Sequence, residues 1–143
     1  MIDLSVLPSG ARVTVDTAPI IYLLEGHPEF SEQFVPFFEQ VEVGEFLAVV
    51  SPITVAEVVA GPLKHGNEIL ADRYYKALTS SSHWQVQELS AEVSFMAARI
   101  RVRYGLKLPD AIQIATAIHT KSMALLTHDR DFSAVDEILI LGI

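Results

Sequence analysis

A chain of 143 residues, half hydrophobic and one fifth charged, has the length and composition of one compact domain with a proper core, not of a disordered segment. It contains no cysteine, which excludes disulfides, thiolate metal sites and a cysteine nucleophile, and fits a cytoplasmic protein. The net charge of −8 arises entirely in residues 1–60, where nine acids face Arg12 alone; residues 61–143 carry nine charges of each sign.

No apolar run approaches the ~18 residues of a membrane span. The opening "MIDLSVLPSG" has no basic leader before an apolar stretch, so no signal peptide is expected. A nucleic-acid binder usually shows a basic patch, because phosphate contacts supply much of its affinity. That footprint is missing overall. Phosphate chemistry would need metal ions, or the local cluster Arg99, Arg101, Arg103 and Lys107, which reads equally well as a solvated helix face.

In chain order, residues 1–11 form an extension. "RVTVDT" is rich in Val and alternates weakly, predicting a strand that ends at Asp16. "APIIYLLEGH" predicts a short helix stopped by Gly26 and Pro28. "EFSEQFVPFFEQVEVG" places Phe30, Phe34, Phe37, Phe38 and Val41 near helical spacing, with Pro36 expected to kink the helix or shift its start. "EFLAVVSP" is nearly all apolar, as a strand covered on both faces would be.

A helix starting near Thr54 is expected to be interrupted or ended by Gly61-Pro62, with a further helix over residues 67–79. "SSSH" is a loop and "WQVQEL" a third strand. "SAEVSFMAARIRVRYG" carries cap signals at both ends, Ser90 and Gly105. "KLPDAIQIATAIHT" reads as a helix from residue 109 to about 121, apolar almost all round and therefore buried. "MALLT" is a short strand, "HDRDFSAVDE" a loop and "ILIL" a last strand. Strands alternating with helices predict a single α/β domain, a three-layer α/β/α sandwich with a mainly parallel central sheet.

In such sheets ligands gather beyond the carboxyl ends of the strands. Asp16 ends the first strand, and Glu57 lies one turn into the helix after the second. Asp110 opens the penultimate helix, and Asp129 and Asp131 follow the "ALLT" strand. Each has an ordinary explanation: Asp16 could cap its helix, "TVAE" matches a capping box from Thr54 to Glu57, Asp110 suits a helix dipole, and "DRD" could be a turn. Together, the four carboxylates of Asp16, Glu57, Asp110 and Asp129 at one edge would repel one another, and a hard divalent cation, Mg²⁺ or Mn²⁺, would relieve that.

Taken in order, "VDTAPIIYLLEGHP", "SPITVAEVVAGP", "LPDAIQIATAI" and "LLTHDRDF" resemble the four acidic motifs of PIN domains, with the VapC-like toxins of bacterial toxin–antitoxin pairs the most similar. The resemblance spans roughly residues 13 to 133. It implies a PIN-like, flavodoxin-like sandwich, Mg²⁺- or Mn²⁺-dependent endoribonuclease activity, a homodimer and a small cognate antitoxin. By position, Asp16 matches the first acid and Thr17 the hydroxyl residue after it; Thr54 and Glu57 match the second motif; Asp110 matches the third acid. Thr127 and Asp129 match a Thr-Asn-Asp pattern in which His128 replaces the usual Asn. Asp131 falls where the family often has a supporting acid.

Under this resemblance Asp16, Glu57 and Asp110 would hold one ion, while Asp129 with Asp16 would help a second or orient the attacking water; two such ions can serve the attacking and leaving oxygens. His128 is the one histidine inside a motif. A phosphoryl-aspartate enzyme or a receiver domain would need a second Asp near Asp16 or a Lys after a later strand, and neither is present. The competing expectation is a PIN fold used as an RNA-binding or assembly module with little or no nuclease activity.

Overall fold

The computed structural model describes residues 2–143. Five strands, β1 (Arg12–Val15), β2 (Leu47–Val50), β3 (Trp84–Val86), β4 (Ala124–Leu126) and β5 (Leu139–Leu141), form one sheet in the order β3-β2-β1-β4-β5. Every pairing is parallel, with Val13 beside Ala48 and Ala124 in the central register. Six helices cover it: α1 (Thr17–Glu25), α2 (Ser31–Glu42), α3 (Pro52–Lys64), α4 (Glu68–Thr79), α5 (Ala91–Tyr104) and α6 (Leu108–His119).

The chain moves from β1 through β2 to β3, then jumps back past β1 to β4. Right-handed crossovers in opposite directions put helices on opposite faces. Two cores follow. Val13, Val15, Ala48, Val50, Ala124 and Leu126 point to the side of α1–α4, where Phe34, Phe37 and Phe38 of α2 fill the space. Leu125 points to the other side, against Val93, Ala97 and Ile100 of α5 and Ile114 of α6. Each fully buried Phe, Leu or Ile in these layers contributes ~1.5–3 kcal/mol. The inner strands β2 and β4 are buried on both faces, which explains their continuous apolar runs.

Helix α6 lies deepest: seven consecutive residues, Ala111–Ala117, are buried. Its alanines allow close approach to the sheet and to α5. Ser90 caps α5 by accepting from Val93 N, and Gly105 ends it in the left-handed conformation with φ 68°.

Three local expectations are corrected. Helix α3 starts at Pro52, not Thr54, because Ser51 is its N-cap and accepts from the Thr54 backbone N–H. Gly61-Pro62 neither ends nor interrupts it; the helix runs on to Lys64 because the Pro62 ring is buried against the neighbouring structure, which offsets the lost backbone bond. Within the "HDRDFSAVDE" segment read as loop, Arg130–Phe132 form a 3-10 turn anchored by the fully buried Phe132. Pro36 lies inside α2, which holds its four buried apolar residues on the core side. In the N-terminal extension, Leu7 is buried in the core and Leu4 packs against it.

Candidate metal and phosphate site

The sheet reverses its strand order between β1 and β4, and the residues that leave those two strands at their carboxyl ends are Asp16 and Thr127. This is the switch point where open parallel sheets bind ligands. Asp16 is the N-cap of α1 and its Oδ1 accepts from the Thr17 backbone N–H at 2.9 Å. The capping explanation of this acid is therefore correct, but incomplete. Asp16 is buried, its Oδ1 also accepts from Gln113 Nε2 at 3.1 Å, and its Oδ2 accepts from the Thr127 hydroxyl at 2.8 Å. Three donors satisfy an ionised carboxylate and leave part of its acceptor capacity free.

Thr127 is itself fixed. Its backbone N–H donates to Leu141 O, and its hydroxyl oxygen accepts from the Asp129 backbone N–H at 3.0 Å. Behind it stands Gly142, with φ +107°; a Cβ there would collide with the Thr127 carbonyl oxygen.

Asp110, Asp129 and Asp131 form a second group. One carboxylate oxygen from each lies within 4.8 Å of the others. Asp110 reaches this point from the first turn of α6, where the helix dipole favours an acid. Asp129 caps the 3-10 turn by accepting from Asp131 N at 2.9 Å, and that turn brings Asp131 back to the cluster. Burial, then the charges of Asp16, Asp129 and Asp131, push the Asp110 carboxyl from 3.8 up to about 6, with Lys107 pulling weakly the other way. Three crowded carboxylates without a cation among them suit a hard divalent ion with oxygen ligands.

Glu57 stands apart from this cluster. With Ser51 as the N-cap of α3, Glu57 is not the partner of a capping box; it is exposed and its Oε1 accepts from the Thr17 hydroxyl at 2.8 Å. Thr17 is also 3.3 Å from Thr54 Oγ1. Thr54 is buried and accepts from Gln113 Nε2 at 2.7 Å.

His128 turns away from the acids. Its Nδ1 is 3.0 Å from Tyr22 Oη, and its ring packs edge-on against Tyr22, Phe30 and Phe34. The α5 arginines are partly engaged: Arg103 pairs with Asp136 and Glu137, and Arg99 lies over the Phe95 ring.

Two residues escaped the sequence reading. Gln113 disappears in a helix described as apolar all round, although an amide three residues beyond Asp110 in a buried stretch is a signal in itself, because buried amides need partners. Ser51 was overlooked because Thr54 offered an equally plausible cap. Its hydroxyl donates to Gln113 Oε1 at 2.9 Å.

The PIN domain family matches residues 13–138, and the chain belongs to that family. A 42-residue stretch is 55% identical to an uncharacterized protein of Archaeoglobus fulgidus, covering 29% of this chain and 66% of that protein, so the chain spans just under two thirds of that relative's length. Among solved structures, the fold is shared with VapBC2 from Rickettsia felis bound to a DNA fragment from its promoter (TM-score 0.71, 16% identity, 90% of this chain and 96% of that one). It is shared equally with the sarcin-ricin loop cleaving toxin VapC20 of Mycobacterium tuberculosis (TM-score 0.72, 15% identity, 90% and 98%). A toxin–antitoxin complex from Klebsiella pneumoniae gives a TM-score of 0.69 at 24% identity, over 89% and 95% of the two chains.

Proposed function

We propose that the protein is a Mg²⁺- or Mn²⁺-dependent endoribonuclease acting in the cytoplasm as the toxin of a toxin–antitoxin pair. The observation that carries this reading is the convergence of Asp110, Asp129 and Asp131 at the carboxyl edge of the sheet, beside the clamped Asp16.

Asp110, Asp129 and Asp131 would hold a divalent ion, with Asp16 and Glu57 on the flank nearer β2. When bound, such an ion neutralises charge on the phosphodiester and activates the attacking water. The chain's own contribution is placement. Thr127 and Gln113 hold the Asp16 carboxylate in one orientation, so it can orient the reacting groups without reorganising. Thr17, exposed enough to meet a ligand and already committed to Glu57, is placed to contact a phosphate oxygen. Little covalent chemistry is asked of the protein, which suits a site without a cysteine or a correctly placed histidine.

The antitoxin expected of such a toxin has a fitting surface. A groove of about 540 Å³ between α1, α2 and α4 has a floor of Leu23, Leu24, Phe38 and Trp84 and a rim bearing Glu39 and Glu42. It favours an apolar segment flanked by Lys or Arg. The homodimer in this reading would cover Phe95 and Val102 of α5, which are 68% and 85% exposed. No helix among the described residues is long and apolar enough to cross a membrane.

Cleavage of structured RNA in Mg²⁺ or Mn²⁺, abolished by chelation and by Asp110→Asn, is the expected result. Undiminished cleavage by Asp110→Asn would remove the reading. RNA binding with no cleavage in either metal would favour the binding-module alternative.

A further inference from the structure

Gln113 sits at the junction of β1, β2 and α6, 1% exposed, with every polar atom of its amide engaged. The direction of each proton in this network can be worked out. Asp16, as an acceptor from Thr17 N and Thr127, takes a proton from Gln113, so the nitrogen of the amide faces Asp16 and Thr54. The oxygen therefore faces Ser51, whose hydroxyl must donate at 2.9 Å. Ser51 fixes which way round the amide stands.

The chain continues beyond Thr54. Thr17 has one hydroxyl proton, and the 2.8 Å contact to Glu57 claims it. The longer, 3.3 Å contact of the same Thr17 hydroxyl is to Thr54 Oγ1, which also accepts from Gln113 Nε2. Ser51 donates to Gln113, Gln113 to Thr54 and Asp16, and Thr17 to Glu57 and Thr54, so the network meets at Thr54 Oγ1 and ends on two carboxylates, Asp16 and Glu57. No buried side-chain nitrogen or oxygen among the described residues lacks a partner. Turning the Gln113 amide over would set its oxygen against the Asp16 carboxylate, acceptor against acceptor, so the amide has one low-energy orientation.

We infer that Gln113 is the positioning residue of the site: it ties Asp16 to Glu57 through Thr54 and Thr17, so that the two acids on either side of the β1 edge are held as one ligand frame. It touches neither metal nor RNA and acts through the acids. This rests on the metal-dependent reading of the site. It also explains why a polar residue occupies the most buried helix of the fold. Leucine of nearly the same volume would pack there, but would leave Asp16 with one donor fewer, and Ser51 and Thr54 without their partner.

The test uses the full chain and Mn²⁺ alone as the probe, by titration calorimetry, with RNA cleavage measured alongside. Gln113→Leu should weaken Mn²⁺ binding about 10- to 100-fold, the usual cost of losing an outer partner of a metal ligand. It should lower kcat with little change in KM for RNA, while circular dichroism stays that of the parent. Ser51→Ala, which frees the amide to turn over and also removes the N-cap bond of α3, should move Mn²⁺ affinity in the same direction by a smaller factor, and stands in if Gln113→Leu does not fold. The decisive measurement is a double-mutant cycle. The loss of Mn²⁺ affinity caused by Glu57→Gln should shrink severalfold in the Gln113→Leu background. Additive losses, or Gln113→Leu binding within about twofold of the parent while Asp16→Asn abolishes binding, would overturn the positioning role and leave the nuclease reading intact. A parent that binds no Mn²⁺ at millimolar concentration would overturn both.

Discussion

The site has two wings built on opposite principles. Around Asp16 both carboxylate oxygens are met by donors from the protein: Thr17, Gln113 and Thr127 all point at one carboxylate. Around Asp110 the neighbours are other acids, and the carboxyl is pushed up to about 6 by burial and by Asp16, Asp129 and Asp131. One wing is complete within the chain, and the other lacks positive charge. A buried carboxylate can be stabilised by donors fixed in the fold or by a counterion taken from solvent; the Asp16 wing uses the first, and the proposed metal would supply the second.

The contrast is broken most directly by exchanging the acids for amides. Asp110→Asn and Asp16→Asn should each lower metal-dependent RNA cleavage by more than ~100-fold, a larger loss than removing an outer partner. Their effects on stability without metal should differ in sign. Asparagine at 16 presents an N–H₂ to groups that already donate, costing about 1–3 kcal/mol and lowering the melting temperature. Asparagine at 110 removes a repelled charge and should raise the melting temperature at pH 7.5. A fall for both variants would erase the distinction between the wings.

Added metal sharpens the same comparison. At ~100 times its dissociation constant an ion bound only to the folded chain contributes about 2.7 kcal/mol, so Mg²⁺ or Mn²⁺ should raise the parent's melting temperature and leave Asp110→Asn nearly unmoved.

The dependence on pH is a further, smaller effect. The Asp110 carboxyl has its ordinary value of 3.8 in the unfolded chain and about 6 in the folded one. Between those values the folded state binds more protons, so this contribution is fully present at lower pH and is lost as pH rises through about 6. Metal-free thermal melts should show the parent losing stability relative to Asp110→Asn across that window, and equal slopes would exclude it. The smallest effect belongs to Glu57→Gln. The residue is exposed and an amide oxygen can still accept from Thr17, so stability should change by no more than ~0.5 kcal/mol in denaturant titrations, although metal affinity falls.

Much of the fold is legible in one dimension because its signals are local. Apolar runs bounded by turn residues mark all five strands, and Ser90 and Gly105 bracket α5 to the residue. The misreadings are also local, and come from choosing between equal candidates. Ser51 and Thr54 both suit a helix start, and only the bond from the Thr54 backbone N–H to the Ser51 hydroxyl decides between them. Gly61-Pro62 would end an isolated helix, but burying the proline ring keeps this one going. Asp131 reads as a turn residue until the buried Phe132 pulls the 3-10 turn inward and delivers it to Asp110.

The sequence by itself determined the α/β order, the parallel sheet and the expectation of four acids near its carboxyl edge, because periodicity, caps and strand ends are properties of neighbouring residues. Tertiary structure alone decided which acids meet and what holds them. The bonds of Gln113 to Ser51, Thr54 and Asp16 span 62, 59 and 97 residues, and that of Thr127 to Asp16 spans 111. A hydrogen bond requires atoms about 3 Å apart, and over such separations only the folded sheet brings them together.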